Sequence, residues 1–191
     1  TTANIDLEQL GSGNIIGGLD AVAGNMTALD LDGTGMTLDI NMIGNTNKFL
    51  GDIWADSYTG FFELDGDSNT FTMQTDPTNT YGADSSNVNV DVTGNSNTMT
   101  LNQATTALAS QLDLDWIING DSNTVTSSIN YDGATNFMDI DGNSNSITFT
   151  GSGYAGGYFN WLKITSISNN TGSNTSTVCV VQNDQGTSTG C

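Results

Sequence analysis

The chain has no histidine and only two basic residues, Lys48 and Lys163, in 191 residues. Against them stand 21 acidic residues, for a formal net charge of -19. Phosphate binding depends on Lys and Arg releasing counterions, so nucleic acid and anionic membranes are excluded as partners. Catalysis has little to work with: no imidazole, almost no lysine and no thiol before Cys179. Paired carboxylates can serve a glycosidase, but acids recur so regularly here that any chosen pair is arbitrary. No run of about 18 apolar residues exists to span a membrane as a helix. The single proline, Pro77, and the regular recurrence of Val, Ile, Leu, Met, Phe and Trp argue against disorder, despite the polar composition.

What is abundant is a repeat. Four segments read Gly66-Asp67-Ser68-Asn69-Thr70, Gly94-Asn95-Ser96-Asn97-Thr98, Gly120-Asp121-Ser122-Asn123-Thr124 and Gly142-Asn143-Ser144-Asn145-Ser146. Looser copies are Gly44-Asn45-Thr46-Asn47, Gly11-Ser12-Gly13-Asn14 and Gly33-Thr34-Gly35-Met36. The leading glycines are separated by 22, 11, 22, 28, 26 and 22 residues. A unit of 22, a half-unit of 11 and short insertions account for the series. Such a period suits a solenoid and is too short for helical-pair repeats or propeller blades.

Both sides of each corner alternate with period two, the mark of a strand. Before it, the expected core residues are Leu38, Ile40 and Met42; Phe62 and Leu64; Val88, Val90 and Val92; Leu112, Leu114, Trp116 and Ile118; Met138 and Ile140. After it, parity places Asn69, Phe71 and Met73 on one face, as it does Asn97, Met99, Leu101 and Asn145, Ile147, Phe149. The corner asparagines Asn14, Asn47, Asn69, Asn97, Asn123 and Asn145 therefore point inward. A buried Asn needs hydrogen bonds, and stacked copies are expected to satisfy one another as a ladder. Gly11, Gly44, Gly66, Gly94, Gly120 and Gly142 supply freedom at the bend. The expected fold is all-β: a solenoid of strand–arc–strand rungs over residues 1–150. An antiparallel meander with Asn-Gly turns is the rival. Residues 151–191 form an aromatic segment and a terminal strand or tail, and only Gln103 to Gln111 invites a short helical turn.

The segment Gln9-Leu10-Gly11-Ser12-Gly13-Asn14 resembles the Gln-x-Gly-x-x-Asn core of the curlin repeat, found in curli-type bacterial amyloid fibres. The Gly-x-x-Asn part recurs in six of seven copies. The resemblance implies subunits secreted unfolded and stacked end to end into adhesive, biofilm-forming fibres. The chain departs from that pattern where Leu64, Val92, Ile118 and Ile140 replace the first Gln. The Gly-x-Ser-Asn-Thr repeat is also similar to repeats of fibrous proteins on virus particles. The primary expectation is a non-enzymatic extracellular homopolymer whose partner is itself, with surface or polysaccharide contact as a further candidate. The alternative is a single-copy binding module: a virion-surface fibre, an adhesin segment or an ice-binding solenoid.

Several finer expectations follow. The chain opens Thr1-Thr2 without methionine or leader, as a processed secreted chain would. Cys179 and Cys191 suit an oxidising compartment and would close a terminal loop, with free thiols or an intersubunit bond as the other readings. Sequons occur at Asn25, Asn169 and Asn174. Asp30, Asp32, Glu63, Asp65, Asp91, Asp113, Asp115, Asp139 and Asp141 are expected on an acidic face before the corner. Among them and the corner acids, Asp65, Asp67, Asp139 and Asp141 are candidate calcium ligands, because hard cations prefer oxygen. Thr70, Thr72, Thr98, Thr100, Thr124, Thr126, Ser146 and Thr148 are expected on a second outward face, where branched Thr suits an exposed strand. The aromatics Trp54, Tyr58, Phe61, Phe62, Tyr154, Tyr158, Phe159 and Trp161 cluster in inserted segments, to pack under loops, plug the ends or contact sugar.

Overall fold

The computed structural model describes residues 3–19, 26–75, 84–104, 109–152, 161–167 and 177–183. Among them there is no helix; the chain is a parallel β-solenoid with rungs about 26 residues apart. The strands before each Gly-x-Ser-Asn corner form a seven-stranded sheet. In spatial order these are β1 (Asn4–Leu10), β6 (Thr37–Ile43), β8 (Thr59–Asp65), β10 (Ser86–Thr93), β13 (Leu112–Asn119), β15 (Thr135–Asp141) and β17 (Trp161–Ile167). The strands after the corner form the opposing sheet. From the N-terminal end these are β2 (Ile15–Ile16) and β5 (Leu29–Thr34), then β7 (Lys48–Asp56), β9 (Thr70–Thr75), β11 (Thr98–Gln103) with β12 (Ala109–Ser110), β14 (Thr124–Asp132), β16 (Ser146–Ser152) and β18 (Thr177–Asn183). All these pairings are parallel. Among the described residues only the small hairpin β3 (Gly18–Leu19) to β4 (Met26–Thr27) is antiparallel, so they do not form a meander.

The core fills the space between the sheets. Every residue that parity assigns inward before the corner is buried, from Leu38 to Ile140. Opposite them lie Phe49, Ile53, Phe71, Met73, Met99, Leu101, Val125, Ile129, Ile147 and Phe149. The two sheets touch through aromatic rings: Phe62 meets Phe49 at 5.9 Å and Phe71 at 4.9 Å between centroids. A buried side chain of this size contributes about 1.5–3 kcal/mol relative to exposure, so this two-layer interior is the main source of cohesion.

The corner conformation explains the repeat. The leading glycines from Gly11 to Gly142 have φ between 100° and 141°. The third corner residue is also left-handed, at φ 58° to 61° for Thr46, Ser68, Ser96, Ser122 and Ser144. Stacking adds a stronger demand on the glycines. A Cβ on Gly66, Gly94, Gly120 or Gly142 would collide with the carbonyl oxygen of the glycine one rung earlier. Backbone freedom is thus only half the reason for glycine here; close rung-to-rung approach is the other half.

A second corner closes each rung and carries no recognisable motif. It passes through Gly35, Ser57, Ser85, Gln111 and Gly133, all with φ between 55° and 77°. The segment Gly33-Thr34-Gly35-Met36 belongs here and not to the first corner. Gly33 lies in β5 beside Ala55, and Gly35 donates its N–H to the Asp56 carbonyl. The half-unit of 11 is therefore the distance between opposite corners. It also moves Asp30 and Asp32 to the opposing sheet, where they pair with Asp52 and Trp54. Successive inner-corner asparagines are 33, 22, 28, 26 and 22 residues apart. The unit of 22 is the shortest rung, and the longer ones carry their extra residues between the first corner and the second. Of Gln103 to Gln111, Gln103 ends β11, Ala109–Ser110 is β12, and residues 105–108 lie outside the described set.

Gly120→Ala is expected to lower stability by about 1–3 kcal/mol through forced positive φ and the collision with Gly94. Ser122→Gly, which removes a left-handed non-glycine residue, is expected to be neutral or stabilising by up to about 1 kcal/mol. Urea unfolding followed by circular dichroism orders the two variants around the parent.

Candidate functional site

The corners carry two hydrogen-bonded ladders running in opposite senses. In the inner ladder, the backbone N–H of Asn14 donates to Asn47 Oδ1 at 3.0 Å, and Asn47, Asn69, Asn97 and Asn123 repeat this toward Asn69, Asn97, Asn123 and Asn145 at 2.8 Å. Asn47 through Asn145 are buried in this series. The sequence suggests that stacked asparagines satisfy one another through their side chains; the ladder bonds run instead from a backbone amide to a side-chain carbonyl. The side-chain carbonyls of Asn47, Asn69, Asn97, Asn123 and Asn145 each serve the backbone amide of the preceding rung, because the arc turns that N–H along the stacking axis and away from any strand partner. The amide hydrogens have a separate fate: Asn123 Nδ2 donates to the Gly94 carbonyl and Asn145 Nδ2 to that of Gly120, each at 2.9 Å. On Asn47, Asn69 and Asn97 the buried Nδ2 has no hydrogen-bond partner.

The outer ladder is built from the residue after each glycine. Asp67 N–H donates to Asn45 Oδ1, Asn95 N–H to Asp67 Oδ1, Asp121 N–H to Asn95 Oδ1 and Asn143 N–H to Asp121 Oδ1, at 2.6–2.7 Å. Asn and Asp alternate along it. Two carboxylates on adjacent rungs, about 4.8 Å apart, would repel by about 1 kcal/mol even in water. Alternation places an amide between them, and Asn95 and Asn143 also direct their Nδ2 toward the Asp67 and Asp121 carboxylates.

The outward faces differ in chemistry. On the first sheet one column runs Asp6, Asp39, Phe61, Asn89, Asp115, Phe137, Lys163, and the next includes Glu8, Glu63, Asp91 and Asp139. Partial burial raises the Asp91 carboxyl above the ordinary aspartate range. Asp115 is raised by partial burial and then by Asp113. Asp30, on the opposing sheet, is raised by desolvation first and then by Asp32 and Asp52. A hollow of about 260 Å³ on the first sheet is lined by Asp39, Phe61, Phe62, Glu63, Asn89 and Asp91. On the opposing sheet, Thr70, Thr98, Thr124 and Ser146 form one column and Thr72, Thr100, Thr126 and Thr148 the next, in parallel register.

The structure does not gather the candidate calcium ligands. Asp65 and Asp141 share a column but are separated by Thr93 and Asn119, Asp139 lies in the neighbouring column, and Asp67 is engaged in the outer ladder. Among the described residues no group of three or more ligand-type side chains is placed to hold a metal. Parallel stacking sets the residues of one rung side by side across the stacking axis and puts the Asp65 and Asp141 rungs three steps apart, so the two acidic segments do not converge. The aromatics divide: Tyr58 and Phe62 are core, and Phe61 is exposed. Tyr154, Tyr158 and Phe159, and the sequons at Asn25, Asn169 and Asn174, lie outside the described residues. So does Cys191, and with it the expected pairing to Cys179 on β18. Sequence reasoning missed one buried polar cluster near the second corner. There Tyr58 Oη donates to Gln103 Oε1 at 2.7 Å, Thr75 Oγ1 donates to the same oxygen at 3.0 Å, and Ala104 N–H donates to Thr75 Oγ1. Its signal was parity: Thr75 and Gln103 occupy inward positions.

Asn97→Ala leaves the buried Asn69 N–H without its acceptor and is expected to cost about 1–3 kcal/mol in urea unfolding. Asn95→Ala, on the exposed ladder, is expected to cost less than about 1 kcal/mol, because water replaces the lost acceptor. The raised carboxyls fix the direction of one pH effect. Their folded state binds protons more readily than the unfolded state, so they oppose folding when ionised and cease to do so as pH falls through the folded pKa toward the unfolded value. Asp91→Asn is accordingly expected to raise the melting temperature at pH 7 and to change it less at pH 4.

No family model, curated protein or solved structure matches the chain, and what stands is the architecture, a parallel β-solenoid with stacked Asn ladders.

Proposed function

We propose that this chain is the structural subunit of a secreted, homopolymeric extracellular fibre of curli-like type, serving matrix or adhesion and built by end-to-end β-stacking. The observation that carries the reading is where apolar surface is exposed. Among the described residues the exposed large hydrophobics are Leu10, Ile15, Phe61 and Val180. Leu10 and Ile15 lie at the N-terminal rung and Val180 at the C-terminal rung. The same two rungs present strand edges, which invite pairing unless covered. Stacked repeats require polar caps for solubility, or use their ends to associate. The acidic and threonine faces suit this role: they keep the sides of a filament hydrated and direct association to the ends. The proposed work lies in the stacking itself, and no catalytic role is assigned.

Negative-stain electron microscopy of the purified chain tests the reading. Long unbranched filaments are expected. Discrete particles at all concentrations would overturn it and favour a single-copy binding module, with the threonine columns as its available surface.

A further inference from the structure

The register of the two sheets points to a specific joint, and the inference rests on the fibre reading above. We infer that copies join head to tail, with β17 of one copy extending the first sheet under β1 of the next, and β18 extending the opposing sheet under β2 and β5.

Continuing each column across the joint pairs like with compatible. The column that begins at Asp6 ends at Lys163, so that lysine meets Asp6 of the next copy. Within its own chain Lys163 already lies 5.3 Å from the Phe137 ring centroid, at the end of the column. The outward column that is polar through Asp65, Thr93, Asn119 and Asp141 is apolar at its N-terminal end, with Leu10 and Ile43. On the opposing sheet, the column of Val180, which is 42% exposed, begins at Leu29.

Polar groups at the N-terminal rung await the same partner. Gln9 is only 8% exposed, and its Oε1 has no hydrogen bond. Its column runs in register from Met42 through Ile140 to β17. Asn14 Oδ1 stands at the open end of the inner ladder, where no described N–H reaches it, although every later member accepts one.

Charge also selects polarity. Two N-terminal ends face to face would oppose Asp6 and Glu8 with themselves, whereas head-to-tail contact brings Lys163 to them. A heterologous contact of this kind does not close on itself and yields an open filament.

The test is a charge swap in the full chain, read as the critical concentration for sedimentable filaments at low salt. Asp6 and Lys163 are both exposed, and circular dichroism of the soluble fraction confirms the fold of each variant. Lys163→Glu and Asp6→Lys are each expected to raise the critical concentration about tenfold, by placing like charges at the joint. The double variant is expected to return to within about threefold of the parent, and about 1 M salt should erase the differences. Asp6→Lys leaves Phe137 untouched, which separates the joint from the loss of the Lys163 ring contact. Filaments with the same critical concentration in all four proteins would overturn the joint and leave the fibre reading standing. A parent chain that forms no filaments would overturn both.

Discussion

Everything in this fold depends on hydrogen bonding from rung to rung at the corners. Within a strand, a parallel neighbour satisfies the backbone automatically. At a bend the N–H groups rotate away, and a buried one left unpaired costs about 1–3 kcal/mol. The inner asparagines solve this by lending a side-chain carbonyl to the adjacent rung. The glycines let the arcs approach closely enough for those bonds to form. The two requirements act together: a larger residue at the glycine would push the rungs apart, and a shorter residue at the asparagine would leave an amide unpaired.

That constraint also shapes the electrostatics. A parallel, in-register stack places equivalent residues about 4.8 Å apart, so any charge repeated in every rung meets itself. The chain carries a net charge of -19 and still stacks. Along the outer corner, amides alternate with carboxylates, each carboxylate holding a backbone N–H. On the first sheet, aromatic and amide residues interrupt the acidic column between Asp39 and Asp115. At Asp115, partial burial first and then the neighbouring Asp113 make the carboxyl easier to protonate. The same stacking that makes like charges costly makes complementary ends effective, which is why one lysine at the last described strand of the first sheet carries so much of the proposed assembly.

Cohesion and specificity have different sources here. The interior is a continuous apolar layer, with Phe49, Phe62 and Phe71 in mutual contact, and it tolerates variation: the inward column at Leu64 runs through Val92, Ile118 and Ile140. Register comes instead from polar positions that cannot slip. A one-residue shift would bury Asp65 or Asp141 and expose Leu64 or Ile140, while misaligning both corner ladders.

The sequence by itself determined the strand faces, the first corner and the inward direction of its asparagines. These are local properties: period-two alternation sets which side chains share a face, and Gly-x-Ser-Asn encodes an arc at four adjacent positions. Tertiary structure decided what local pattern does not contain. The second corner needs only a positive φ, which Gly35, Ser57, Ser85, Gln111 and Gly133 all provide, so no motif marks it, and Gly33 was read as a copy of the first. The ladder partner of each asparagine is a backbone N–H 22 to 33 residues away. The segments holding Asp65 and Asp67 and holding Asp139 and Asp141 are each rich in oxygen, and the rungs of Thr93 and Asn119 stand between the two. Insertions of unequal length set how far apart two stacked residues lie in the chain, and only the closed rungs show which ones meet.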